Sequence, residues 1–251
     1  MSMKKKIATG ALLVAFGATA VTGATLAYFT DTDNATNEFT VGNVSIDLHE
    51  ANKDGAVDEA YHTWLDKQVL MPGDNETNTV AKRVYVENDG VSDSYVRVHI
   101  AIPAVLDNAQ PDFDASKNLL HFNAAPESYV DGKWNWGTKV TNGRDNFVGA
   151  GDTWNFYTTN VGGIDYNVYV VTYETALAPK AVTLDAMHQV YLYKDVTNED
   201  IAKANDILKG NWNVLVFAEG GQTAGFTDAF TALNTQFGNP MDASYVAPWN
   251  K

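Results

Sequence analysis

The chain contains no cysteine, so no disulfide staples the fold, and Cys-based zinc sites and a cysteine nucleophile are excluded. Basic residues are scarce: 17 Lys and Arg stand against 31 Asp and Glu, a formal net charge of −14. Nucleic acid, whose binding needs a basic patch, is therefore not an expected partner. Histidine is rare, and His62, His99, His121 and His188 stand alone. His49-Glu50 opens like a zinc-protease motif, but the position of the second His is Lys53. That chemistry needs two imidazoles four apart on a helix with the Glu as base. No Gly-x-Ser-x-Gly elbow is present, and with so many acids some close carboxylate pairs arise by chance. No catalytic residue is predicted, and an enzyme is not the expected class.

Apolar runs of membrane-spanning length are also missing. The longest uncharged stretch follows Lys4, Lys5 and Lys6 and runs from Ile7 towards Tyr28, diluted by Thr9, Gly10, Gly17, Thr19, Thr22 and Gly23. It falls short of the roughly 20 strongly apolar residues of a span and reads as a secretory signal peptide. Thr25 and Ala27 are the small residues that a signal peptidase needs, which predicts cleavage between Ala27 and Tyr28. Residues 1–27 are then the signal peptide, 28–42 an extended N-terminal segment and 43–251 a single domain. That length suffices for a proper core without disulfides, and 12 Tyr, 11 Phe and 6 Trp supply aromatic surface for it. No sortase-type tail or C-terminal apolar span is seen, so any hold on a cell surface is expected to be non-covalent.

Alternation dominates the mature chain. Val44, Ile46 and Leu48 alternate with polar residues, predicting a strand that ends near Glu50. Residues 50–78 are acidic and turn-rich and read as a long loop with room for one helical turn. Lys82–Glu87 and Ser94–Ile102 read as two strands of a hairpin around Asn88-Asp89-Gly90, closed by Pro103. In the second of them Val96, Val98 and Ile100 share one face and Arg97 and His99 the other. Asn167–Thr175 is the most β-rich run and is expected in the middle of a sheet. Further strands are expected at Thr153–Thr159, Gln189–Tyr193 and Asn213–Glu219. Thr197 is placed to cap a short helix ending at Gly210, and Phe226, Phe230, Leu233 and Phe237 fall at helical spacing before Gly238 and Pro240. The predicted fold is mainly β, an antiparallel sandwich with two short inserted helices.

Two binding patterns are present. Glu50, Asn52, Asp54, Gly55 and Asp58 follow the spacing of a calcium loop, which makes calcium the candidate cofactor, although Tyr61 stands where a bidentate acid is usual. The alternative is a solvated acidic loop. Trp134 and Trp136 share one side of an extended stretch and could stack on a sugar, against the commoner fate of burial in the core.

Tyr28, Phe29, Thr30 and Asp31 after the cleavage site, then Phe39, Val41 and Gly42 leading into Val44, Ile46 and Leu48, resemble the secreted TasA/camelysin family. Residues 84–103 and 217–238 carry the resemblance further along the chain. It implies a jelly-roll form of the sandwich, processing by a SipW-type signal peptidase, and secretion to the matrix or surface of a Gram-positive-type bacterium. It also implies a fibre-forming subunit of biofilm matrix. In that reading the freed segment bearing Tyr28, Phe29, Thr30, Phe39 and Val41 adds as a donor strand to the sheet edge of a second copy. The contact is head-to-tail and propagates. The partners are then further copies of the chain, with other matrix proteins or polysaccharide beside them. The alternative for the segment is to fold back on its own domain. The alternatives for the whole chain are a camelysin-type metallopeptidase or a carbohydrate-binding module.

Overall fold

Alternating buried and half-buried positions organise the molecule into two facing sheets. The computed structural model describes residues 30–33, 44–51, 69–73, 77–107, 118–122, 134–135, 137–139, 150–154, 156–246 and 249. The signal peptide, its cleavage site, Phe29, Phe39, Val41, most of the calcium-loop pattern and Trp136 lie outside them.

The first sheet is built on β5 (Ser94–Pro103). One side of β5 pairs antiparallel with β11 (Ile164–Tyr173), the other with β13 (Leu215–Gln222). β10 (Phe156–Val161) extends the sheet beyond β11, and β1 (Thr30–Asp33) extends it beyond β13. β7 (Trp134–Asn135) also pairs with β11. The β-rich run therefore sits inside the sheet, as its composition requires. Every residue of β5 is buried.

The second sheet has the order β2 (Ile46–Ala51), β4 (Val80–Asn88), β12 (Met187–Tyr193) and β3 (Pro72–Gly73), with β6 (Leu120–Phe122) also on β12. Its pairings are antiparallel except β12 with β3, which is parallel. β8 (Gly137–Lys139) and β9 (Ala150–Trp154) form a separate two-stranded ribbon. Between the sheets lies one core of Val84, Val86, Val96, Val98, Ile100, Tyr169, Val171, Met187 and their neighbours. Burying each large apolar side chain of this kind contributes roughly 1.5–3 kcal/mol before conformational entropy is set against it.

The expected hairpin between residues 82–87 and 94–102 does not form: β4 belongs to the second sheet and β5 to the first. Asn88 explains the departure. Its side-chain amide donates to the carbonyls of Ser92 and Leu177 at 2.8 and 2.7 Å, and its carboxamide oxygen accepts from the Gly90 N–H at 3.0 Å. These bonds fasten the turn to a third segment, and the chain crosses from one sheet to the other.

The two helices follow local signals. α1 (Asn198–Leu208) opens on a capping box in which Thr197 accepts from the Asp200 N–H and Asp200 accepts from the Thr197 N–H. It closes with Lys209 and Gly210 in left-handed geometry. α2 (Ala229–Phe237) starts later than the Phe226 periodicity suggests, because Asp228 accepts from the Thr231 N–H at 2.8 Å and sets the N-terminus. Phe226 instead packs beside Ala229, Ala232 and Leu233 against Tyr95.

Candidate functional site

Strand β13 uses its two sides unequally. Along its whole length one side pairs with β5, from Leu215 opposite Ala101 to Gln222 opposite Ser94. The other side carries β1 only from Ala218 to Gly221, so among the described residues Leu215, Val216 and Phe217 have no strand neighbour there. Unpaired backbone of this kind is a template for an incoming strand. β1 itself reads Thr-Asp-Thr-Asp, with Asp31 and Asp33 at the register positions opposite Gly220 and Ala218. Ala218 belongs to the inter-sheet core, and a Cβ on Gly220 would lie 2.6 Å from Ile46 Cγ2. The four residues bring no apolar side chain to that face.

A cavity of about 670 Å³ lies against the second sheet, bounded by α1, residues 210–214 and Leu215 at the start of β13. Leu70, Val80, Leu192, Ile201, Trp212 and Val214 contribute to its walls. One polar pair is set into it: the buried Lys82 ammonium donates to Glu50 Oε1 at 2.7 Å.

The opposite face of β13 is held by a buried polar layer. Arg97 donates through Nε to Glu219 Oε2, through one terminal nitrogen to Asn234 Oδ1 at 2.9 Å, and through the other to the Gly238 carbonyl at 3.0 Å. Trp249 Nε1 donates to the Tyr157 hydroxyl at 2.7 Å, which leaves that hydroxyl to donate to His99 Nδ1 at 3.1 Å. His99 is then the Nε2–H tautomer, donating to Glu219 Oε2 at 3.2 Å. Tyr245 donates to Glu219 Oε1 at 3.3 Å and its ring stacks on His99. Arg97, His99 and Glu219 are all buried. Together these bonds clamp α2 and the C-terminal residues onto β5 and β13.

The electrostatics agree. Burial pulls the His99 pKa below its ordinary 6.5, against the opposing pull of Glu219. Burial alone would push Glu219 up, but His99 and the permanent charge of Arg97 outweigh it and hold the carboxyl below the usual glutamate range. Burial also raises Tyr157 and Tyr245, which stay protonated donors. Acid works against both central groups. The unfolded chain takes up a proton on His99 below about pH 6.5 that the folded chain refuses. The stability contributed by ionised Glu219 is lost as pH falls through its depressed folded value. The free energy of urea unfolding is expected to fall between pH 7.5 and 5.5, by up to about 1.4 kcal/mol per pH unit below pH 6.5, and the midpoint to fall less in His99→Gln. A midpoint equally flat in both proteins would contradict this account.

Of the residues predicted from sequence, Thr30 is paired with Gly221 of its own chain. Trp134 is core: it is buried, its Nε1 donates to the Leu184 carbonyl at 2.9 Å, and its ring packs edge-on against Tyr173. It offers no free face to a sugar. Glu50, first in the calcium-loop pattern, is bound to Lys82, while Asn52, Asp54 and Asp58 lie outside the described residues. Arg97, Glu219, Tyr157, Tyr245 and Trp249 were not singled out as a site by sequence. The one available signal was an Arg and a His alternating with aliphatics inside a single strand.

Residues 2–112 match the family model for camelysin metallo-endopeptidases. Over that stretch the chain is similar to the camelysin family. No curated protein and no solved structure matches it. The camelysin match takes in the predicted signal peptide, the N-terminal segment and strands β1 to β5, while β13 and both helices lie beyond it.

The camelysin description implies a metal. His49 and Glu50 are consecutive on β2, and consecutive strand residues face opposite ways. His49 Nε2 lies 3.3 Å from Glu87 and 3.6 Å from Asp47, with its ring stacked on Tyr85, whereas Glu50 turns to Lys82. Among the described residues no three His, Asp or Glu side chains converge on a point that could hold a metal. The described residues therefore do not fit a zinc-peptidase centre.

Proposed function

We propose that the chain is a secreted structural subunit, a jelly-roll-like sandwich that polymerises head-to-tail by passing its N-terminal strand to the β13 edge of a second copy. The observation that carries this reading is β1. It is a short terminal strand, hydrogen-bonded to β13 alone among the described residues, and polar throughout. An equivalent strand from another molecule can make the same backbone bonds. Exchange of an identical element costs little in contacts, and because donor and acceptor are different surfaces the chain of exchanges does not close on itself. Cleavage after Ala27 would leave Tyr28 and Phe29 at the free end of the donor. The family match is consistent with this reading, because the matched residues include the whole donor segment.

The test compares mature protein with and without residues 28–41. The full mature chain is expected to form fibres by electron microscopy, and the truncated one to remain monomeric at the same concentration. Equal fibre yield from both would end the proposal.

A further inference from the structure

The cavity under α1 combines an aliphatic floor, a buried ion pair and a rim of amides and indole. We propose that it is a binding site for an N-acetylated hexosamine, with the acetamido group seated at Glu50 and the pyranose ring against Trp212. The site is independent of how subunits join.

The floor comes from the second sheet: Val80 of β4, Leu120 of β6 and Val190 and Leu192 of β12 line it, and all are buried. Glu50 is the register partner of Val84, and Lys82 stands two positions from Val84 on the same strand, so both side chains project from the inner face. Lys82 is buried, and the Glu50 side chain is only 16 % exposed. Glu50 Oε1 accepts from the Lys82 ammonium at 2.7 Å, whereas Glu50 Oε2 accepts no bond from the described residues. At the mouth, Trp212 donates through Nε1 to Asn205 Oδ1 at 2.6 Å, which ties residue 212 to α1. With that N–H spent, the half-buried indole presents only carbon surface to the cavity. Asn205 and Asn213 are exposed at the rim.

Each feature narrows the ligand. The ion pair is neutral as a unit, so a charged ligand would meet no uncompensated partner. A purely apolar ligand would cover Glu50 Oε2 and leave a carboxylate oxygen without a donor, which is costly for a buried group. The occupant is therefore neutral, carries a donor to the depth of Glu50 and sets small apolar groups on the aliphatic floor. An acetamido group meets these demands together. Its N–H reaches the carboxylate, its carbonyl lies on the side of the Lys82 charge, and its methyl meets the floor. The pyranose ring that bears it has C–H faces for the indole and hydroxyls that both donate and accept, as the Asn205 and Asn213 amides do. A volume of about 670 Å³ is within the range of pockets for ligands of that size.

Isothermal titration of the mature chain with N,N′-diacetylchitobiose tests the site, with cellobiose, which has hydroxyls in place of both acetamido groups, as the comparison. Cellobiose is expected to bind about tenfold more weakly, the effect of losing one hydrogen bond to a charged group. Trp212→Leu and Asn213→Ala lie at the rim and are each expected to weaken diacetylchitobiose roughly three- to tenfold. Asn213→Ala, at an exposed position, is expected to keep the parental urea midpoint. Retention of the mature chain on peptidoglycan sacculi or on immobilised poly-N-acetylglucosamine separates a cell-wall source of the sugar from a matrix polysaccharide, and retention on either supports the proposal. No heat from diacetylchitobiose at millimolar concentration, or retention on neither polymer, would overturn it. So would equal affinity for cellobiose or for N-acetylalanine methylamide, which has the acetamido group without the ring, or an affinity unchanged in both rim variants. Fibre yield scored on the same samples keeps loss of sugar binding distinct from loss of assembly.

Discussion

Glu219→Ala is expected to destabilise the domain by about 3–5 kcal/mol, more than any single apolar truncation at the sheet edges. The reason is what stays behind. Arg97 and His99 remain buried on β5, and removing the carboxylate leaves a guanidinium in the interior without its counter-charge. Breaking one partner out of a buried pair costs this much because the surviving charge is uncompensated. Three further bonds also lose their acceptor: those from Arg97 Nε, His99 Nε2 and the Tyr245 hydroxyl. Equilibrium urea unfolding at pH 7.5 checks the magnitude. Glu219→Gln keeps the shape and an acceptor oxygen but not the charge, and is expected to fall between the parent and the alanine variant. An alanine variant within about 1 kcal/mol of the parent would show that the layer is not what clamps α2 and the C-terminal residues to the sheet.

If subunits exchange β1 as proposed, this layer bears on assembly through position. Glu219 is the register partner of Thr32, so the residue that anchors β13 from one face sits at the middle of the stretch that receives β1. A receiving edge works best when it is already straight, since ordering it at the moment of docking would subtract from the affinity. The buried charges thus keep the β13 edge preformed whether or not a donor is present.

Local signals were legible in the sequence and long-range ones were not. Thr197 and Asp200 announce α1 because the capping bonds span three residues, and the alternation of Val44, Ile46 and Leu48 announces β2 because one face is buried. The phase of β5 was also readable, with Arg97 and His99 opposite Val96, Val98 and Ile100. That both faces are buried was not, because the cover comes from Asn234, Gly238, Tyr245 and Trp249, well over a hundred residues away. The turn at Asn88-Asp89-Gly90 misled for the same reason. Its composition is that of a hairpin, but Asn88 is bonded to Leu177 and so serves a crossing between sheets. The pairing of β1 with β13 has no sequence signature either, since it joins residues nearly two hundred positions apart.

Locking β1 to its own β13 is expected to abolish fibre formation, and unlocking it to restore the fibres in the same sample. Asp33 and Ala218 are register partners, and the parent has no cysteine to compete. The double variant Asp33→Cys, Ala218→Cys, oxidised as a dilute monomer, therefore closes one intramolecular disulfide. Reduction of that bond with dithiothreitol frees the strand. If fibres grow by strand exchange, a closed bond removes both the donor and the vacant edge from every molecule, so the oxidised protein can neither add to a neighbour nor accept one. The effect should be all-or-none by electron microscopy and sedimentation, not a graded loss, since no oxidised subunit can take part in either half of the exchange. Ala218→Cys alone, treated identically, separates the bond from the substitution in the core. Fibres at parental yield from fully oxidised monomer would mean that subunits join through surfaces other than β1 and β13, and that the strand seen on its own sheet belongs there permanently.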